Sequence, residues 1–417
     1  MDIHFDNGLL TIVLPAEISS ANASSVEEEI GRAEHLPEAE KILLDAGELT
    51  YISSAGLRIL MRLLKTTKAE ITVRDVSHEI YDIFHMTGLT RLFTVVEKLE
   101  YIDTKDADLL GAGVYGSVYR LTPELVMKVY HDDNCREILE KTLENAQRAL
   151  LAGIPTMLSF KTVRTDKGLG LIYELFEGES MSDVMREDPE HLADYAREMA
   201  ELALLMAETE IDDGGMSRRS ERLSEELEAA RPLIGEDIFD KLSGYLRAVP
   251  ERDTPVHGDF HSKNMMKRDG ELMLIDMDDF ALGHPVWDIA CFYRIFRYFA
   301  NLSDELGRQI FDLPEELAYA DFYEKMIGVP SSWGETVWTA FTGRYFEGYG
   351  DAEKEACMAL AAFYSDYMVI RLLIDRMKAV SGNEEKRIKK MALIRSILDR
   401  MEEKDFDALS RGFGYWR

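Results

Sequence analysis

The stretch from Val256 to Asp279 constrains this chain more than any other. It reads Val256-His-Gly-Asp-Phe-His-Ser-Lys-Asn264, then the apolar run Leu272-Met-Leu-Ile275, then Asp276-Met-Asp-Asp279. Apolar runs this short are buried strands, so the polar residues around them fall on loops at strand ends. Carboxylates crowded into one turn repel each other unless a cation neutralises them. Whatever the chain folds into must therefore bring a cationic group to Asp276, Asp278 and Asp279. Asp259 and Asn264 have the spacing at which an Asp orients a hydroxyl and accepts its proton while an Asn side-chain oxygen holds Mg²⁺. Asp276, ending a strand, is placed for a second hard oxygen ligand. The plain alternative is an acidic surface loop. A zinc site on His257, His261 and Asp259 would need a third soft ligand, and none lies nearby.

A second motif lies upstream. Gly111-Ala-Gly-Val-Tyr-Gly116-Ser-Val118 fits GxGxxGxV, and small residues there let backbone N–H groups approach phosphate oxygens. A glycine-rich hairpin explains the same string on structural grounds alone. The glycines lead into the strand-like Ser117–Leu121 rather than a helix, which argues against a dinucleotide-binding turn. Lys128 follows inside the apolar run Val126-Met-Lys-Val-Tyr130, where an ammonium is costly unless an anion meets it. Glu137, Glu140 and Glu144 share one face of the next helix, and periodicity does not choose among them as its partner.

Around these motifs the pattern divides near residue 104. Residues 1–103 alternate strands (9–14, 42–45, 71–74, 92–96) with helices (23–33, 55–65, 79–86), an α/β pattern. After the polar segment Asp103–Asp108 comes an N-lobe over about 108–176, with strands at 116–121, 125–130, 157–163 and 169–176 and a helix near 134–152. A helix-rich C-lobe over about 177–417 follows. The length of 417 residues and a 46% hydrophobic, 30% charged composition are those of a folded protein of two or three domains. Lys and Arg number 48 against 78 Asp and Glu, a formal charge of −30 that argues against nucleic acid or an anionic membrane surface as a general partner. Three scattered cysteines, Cys135, Cys291 and Cys357, fit a reducing compartment, and the Met-Asp-Ile start has no leader-like pattern, so a cytoplasmic location is expected.

Taken together, Gly111–Val118, Lys128, His257–Asn264, Ile275–Asp279 and Gly283-His-Pro-Val-Trp-Asp288 resemble the aminoglycoside phosphotransferase and choline kinase superfamily over about residues 108–400. That resemblance implies an α+β protein-kinase-like fold, with ATP and Mg²⁺ as cofactors and a small-molecule hydroxyl as acceptor. It implies Asp259 as catalytic base, Asn264 and Asp276 on Mg²⁺, and Gly111, Gly113, Gly116, Val118 and Lys128 around the nucleotide. It also makes Glu144 the ion-pair partner of Lys128, and Glu174 to Glu177, including Phe176, the hinge that carries adenine. Asp288 falls at a structural position.

Residues 1–100 resemble the STAS domain of anti-sigma-factor antagonists, through Asp45-Ala-Gly-Glu-Leu-Thr-Tyr-Ile-Ser-Ser-Ala-Gly-Leu-Arg58 and Ser77–Leu89. In that family the residue matching Ser54 is a phosphorylated regulatory serine, whereas a hydroxyl that merely caps the helix is the plain reading. The domain implies a protein partner. Two functions are therefore weighed: a phosphotransferase coupled to a STAS module, and a nucleotide-sensing signalling protein whose kinase-like domain is weakly active or inactive. The four groups Lys128, Asp259, Asn264 and Asp276 favour chemistry. Trp287, Tyr293, Phe296 and Phe299 would suit a cationic acceptor as an aromatic wall, although a core stripe accounts for the same spacing.

Overall fold

The computed structural model describes all residues except 7, 106, 113–115, 131–135, 176–177, 212–215, 380–381 and 417, and the side chains at 112, 136–138 and 140 are also outside the description. Gly113, Phe176 and the side chains of Glu137 and Glu140 therefore lie outside the described residues. The chain packs as two units, Met1–Asp106 with Thr162–Asp166, and Ala107–Lys161 with Lys167–Arg417.

The first unit is built on a sheet in the order Ile3–Asp6, Leu9–Val13, Lys41–Asp45, Glu70–Val76, Thr94–Glu97. The first pair is antiparallel and the rest are parallel. Alternation of side chains sends Leu10, Ile12, Ile42, Leu44, Ile71 and Val73 to the buried face. There they meet Val26 and Ile30 of the helix Ala23–Gly31, Ile59 and Leu63 of Ser54–Thr66, and Ile80 and Phe84 of His78–Met86. The edge strand Ile3–Asp6 was not expected from the sequence. Its alternation is half-buried against exposed, so no apolar run marks it.

In the second unit, Asp108–Ala112, Gly116–Arg120, Leu125–Tyr130 and Gly168–Glu174 run antiparallel in the order 108–112, 116–120, 125–130, 168–174. Gly116 faces Tyr130 across the ladder, and a Cβ there would stand 2.6 Å from the Val129 carbonyl oxygen, so this pairing needs glycine. The helix Arg136–Leu151 turns Leu139, Ala146 and Ala149 inward. Helices dominate the remainder, with Leu192–Glu208 packed on Gly334–Tyr345 and Val286–Tyr293 on Asp351–Ala379. The last helix is long and apolar enough to cross a membrane by composition, yet it buries Leu360, Phe363, Tyr364, Ile370 and Leu373 in this core.

Two short antiparallel pairings set the polar loops. Pro255–Val256 pairs with Ala281–Leu282, and Met265–Arg268 pairs with Glu271–Leu274. The loops 257–264 and 275–280 are the connections between these strands, so they emerge side by side, tied by the Ile275 N–H to the Asn264 carbonyl at 3.0 Å.

Candidate active site

The loop 257–264 is shaped from within. Gly258 has φ +82°, and a Cβ on it would lie 2.8 Å from the Asp279 carbonyl oxygen. Its N–H and that of His257 donate to the two carboxylate oxygens of buried Asp288, each at 2.8 Å. Burial pushes the Asp288 carboxyl up, opposed by His257 and these two N–H groups. Asp288 is thus a structural clamp on the loop. Arg219, fully buried, donates to the Gly258 carbonyl at 3.3 Å and faces Asp279 at 3.3 Å. Arg222 holds Asp279 at 2.8 Å and the Asp278 carbonyl at 3.0 Å. One helix, Arg219–Ile234, therefore ties both loops together.

Asp259, 42% exposed, carries donors on both oxygens. Arg294 Nη2 lies 3.2 Å from Oδ1, with the Cys291 thiol 3.6 Å from the same atom. His261 Nε2 is 3.2 Å from Oδ2, and the Asn264 amide 3.3 Å. His261 Nδ1 accepts the Lys263 N–H at 3.2 Å, which assigns the ring proton to Nε2 and makes it the donor to Asp259. Partial burial would raise the Asp259 carboxyl, but His261 and Arg294 outweigh it and hold the group well below the usual carboxylate range. The neighbouring Cys291 thiol is pushed up to about 12 by burial and stays protonated.

Asn264 also donates to the Asp259 carbonyl at 3.0 Å, so its amide protons face Asp259 and its side-chain oxygen is not used in that pairing. Lys128 reaches the same region from the sheet. Its Nζ lies 2.7 Å from Asp276 Oδ1 and 2.8 Å from Asp278 Oδ2. Burial disfavours its charge, but the two carboxylates prevail and raise its pKa. Asp278 Oδ1 accepts the Tyr130 hydroxyl at 2.9 Å and the Thr142 hydroxyl at 3.2 Å. The crowding legible in Asp276-Met-Asp-Asp279 is resolved by protein cations, Lys128 on one side and Arg219 with Arg222 on the other.

A cavity of 300 Å³ opens here, with Val118, Val126, Leu175, Met266 and Ile275 among its apolar walls and Lys128, Asn264 and Asp276 at its polar end. Of the residues expected around a nucleotide, Val118 lines this cavity, whereas Gly111 and Glu174 are exposed at strand ends. Glu144 requires a correction. It is exposed on the outer face of the helix Arg136–Leu151, and Thr142 and Asn145 are the buried polar residues of that helix. Among the described residues, Asp276 and Asp278 are the carboxylates on Lys128. Trp287, Phe296 and Phe299 are core residues, at most 3% exposed, as the stripe reading has it.

Sequence reasoning did not find Arg294, Cys291, Arg219, Tyr130 or Thr142. Thr142 and Asn145 carried a usable signal, since they are polar residues three apart between the inward-facing Leu139 and Ala146. Among the described residues no group of three or more His, Cys, Asp or Glu is arranged to hold a metal by itself. The oxygens of Asn264 and Asp276 nevertheless fit a hard cation that keeps other ligands of its own, as Mg²⁺ does with water and phosphate.

In the first unit, Ser53 caps the helix Ser54–Thr66 by accepting the Gly56 N–H at 3.4 Å. Ser54, the first helical residue, is exposed beside it.

The sequence model of the Phosphotransferase enzyme family matches residues 106–324, and that of the STAS domain matches residues 1–102. Over 98 residues, 22% of this chain and 83% of the relative, the chain is 31% identical to the anti-sigma factor antagonist BtrV of Bordetella bronchiseptica. Among solved structures it is similar to the ADP-bound aminoglycoside phosphotransferase APH(2'')-Ib, with 16% identity over 78% of this chain and 98% of that one and a TM-score of 0.45. It is also similar to a choline/ethanolamine kinase family protein from Mesorhizobium loti, with 11% identity over 75% and 93% of the two chains and a TM-score of 0.44. From the match over 106–324, more than half of its length, the chain belongs to the phosphotransferase enzyme family, and it carries at its N-terminus an STAS domain of the anti-sigma factor antagonist kind.

Proposed function

We propose that the second unit transfers a phosphoryl group from ATP to the hydroxyl of a small molecule, with Mg²⁺ as cofactor, and that the STAS unit is its regulatory or docking module. The observation that carries this reading is the convergence of Lys128, Asn264 and Asp276 on one apolar-walled cavity, with Asp259 hydrogen-bonded to Asn264 at its edge. The apolar walls suit the faces of a nucleobase, and the polar end suits phosphates. Asn264 and Asp276 would hold the divalent cation, which supplies neutralisation of charge on the transferring phosphoryl group.

The chain's own residues do the rest. Lys128 is kept protonated, the charged form that a phosphate oxygen needs. Asp259 is a weak base in its setting of donors. It orients the acceptor hydroxyl and takes the proton only as the oxygen forms its bond to phosphorus, which is what a loose transition state requires. His261 and Arg294 fix the direction of that carboxylate.

The test is incubation of the full chain with Mg-ATP and a panel of hydroxylated metabolites, read by mass spectrometry for phosphorylated products, with phosphosites on the protein mapped in the same samples. Phosphorylation of a panel member supports the reading, and ATP turnover absent with every acceptor contradicts it. A phosphate on Ser54 would make the exposed hydroxyl a switch, since about two negative charges would sit at a helix N-terminus facing the partner. Its absence in a preparation that phosphorylates another acceptor refutes self-modification.

A further inference from the structure

The two carboxylates on Lys128 are not held alike. Asp278 is the more enclosed, 22% exposed, and receives the Tyr130 and Thr142 hydroxyls as well as Lys128. Asp276 is 44% exposed, and Lys128 is its side chain's one hydrogen-bond donor among the described residues. One lysine between two carboxylates leaves net negative charge facing an incoming phosphate, so a carboxylate must release Lys128 before the lysine can serve that phosphate fully. Releasing Asp276 breaks one bond. Moving Asp278 away from Lys128 would also disturb the bonds of its other oxygen to the Tyr130 and Thr142 hydroxyls, a larger cost.

We infer that Asp278 is a positioning residue that anchors Lys128 permanently, in the role expected of Glu144, while Asp276 is the exchangeable partner that moves from Lys128 to the cation. This rests on the nucleotide reading above. It changes what the helix Arg136–Leu151 contributes. Among the described residues that helix meets the pair through the Thr142 hydroxyl on Asp278, and the anchor of the lysine comes from the loop 275–280.

The pairing is read first without nucleotide, from acetylation of Lys128 by an activated acetate ester in the full-length protein, followed by peptide mass spectrometry. Asp278→Asn removes the enclosing carboxylate that ties the amine to the Tyr130 and Thr142 hydroxyls and so opens it to the reagent, and this variant is expected to label about ten times faster than wild type. Asp276→Asn is expected to label less than about two-fold faster because Asp278 still encloses the amine. Glu144→Gln should match wild type and Asp278→Glu should restore protection. Equal acceleration by both Asn variants, or none by Asp278→Asn, overturns the division of roles.

The second readout is ADP binding by calorimetry in EDTA and in Mg²⁺. Asp276→Asn should bind metal-free ADP at least as tightly as wild type and lose the gain from Mg²⁺. In Asp278→Asn Lys128 is no longer held in a fixed position at the polar end of the cavity, so metal-free ADP binds more weakly, and Asp278→Glu recovers it. Asp278→Asn that only melts earlier, with unchanged ADP affinity, overturns the inference. Wild type that binds no ADP in either condition overturns the nucleotide reading instead, and the labelling result then still decides the pair.

Discussion

Asp259 shows how much of the chemistry is set by neighbours of a single side chain. A carboxylate with Arg294 and Cys291 on one oxygen and His261 and Asn264 on the other is well aimed and weakly basic. Its depressed pKa means that it stays ionised until well into acid. Removing the Arg294 cation takes away one of the charges that hold it down, so the carboxyl rises toward the ordinary value of about 3.9. Arg294→Ala should therefore keep the alkaline side of the pH–rate profile and move the acid limb of kcat/KM upward by about one pH unit. The check is kcat/KM against pH for both proteins, and superimposable acid limbs would show that Arg294 does not tune Asp259. Arg294 lies on the π-helical turn Arg294–Tyr298, an irregularity that follows the helix Val286–Tyr293 and carries the guanidinium to Asp259. Nothing in the periodicity of Phe292, Phe296 and Phe299 reveals that turn, which is why Arg294 was not legible.

At the scale of elements, the loops are fixed by short strands and by buried polar groups that have one acceptable protonation state. His284, 1% exposed, follows the strand Ala281–Leu282 and stacks edge-on with Phe413 and Trp416 of the C-terminal segment. Its Nδ1 accepts the Val286 N–H at 3.1 Å, and burial, with Arg252 nearby, lowers its pKa to about 3. In the unfolded chain a histidine titrates near 6.5, so between about pH 6.5 and pH 3 the unfolded state binds a proton that the folded state does not. His284 therefore makes stability fall as pH falls through that window. Between pH 7 and pH 5 the loss is about 2 kcal/mol, at 1.36 kcal/mol per pH unit below 6.5. Urea unfolding at the two pH values should show His284→Asn losing less stability on acidification than wild type by about that amount. An identical loss in both would mean that His284 is not the buried neutral group. The elements themselves were largely legible, because the strands 9–13, 41–45 and 125–130 and the helix 54–66 carry clean alternation or helical stripes. The pairing of Lys128 was not. Helical spacing placed Glu137, Glu140 and Glu144 on one face without saying which way that face points, and the loop 275–280 supplied the partner from far along the chain.

At the scale of the whole molecule, the chain joins an STAS unit to a phosphotransferase unit, and the motifs of the two parts made that pairing readable. What composition could not specify was local charge. A protein with a formal charge of −30 nevertheless places Lys128, Arg219, Arg222 and Arg294 around two loops. Fields at a site depend on nearby groups more than on the net total, since charges beyond about 10 Å are largely screened. The central claim is that these loops form a metal-assisted phosphoryl-transfer site with Asp276 as a ligand. It is tested most directly by the initial rate of Mg²⁺-dependent phosphoryl transfer from ATP in wild type and Asp276→Ala, with circular dichroism confirming that both are folded. The account predicts a rate at least about 1000-fold lower in Asp276→Ala, since the charge on the transferring group loses its clamp. A folded Asp276→Ala protein that transfers phosphate at the wild-type rate would contradict it.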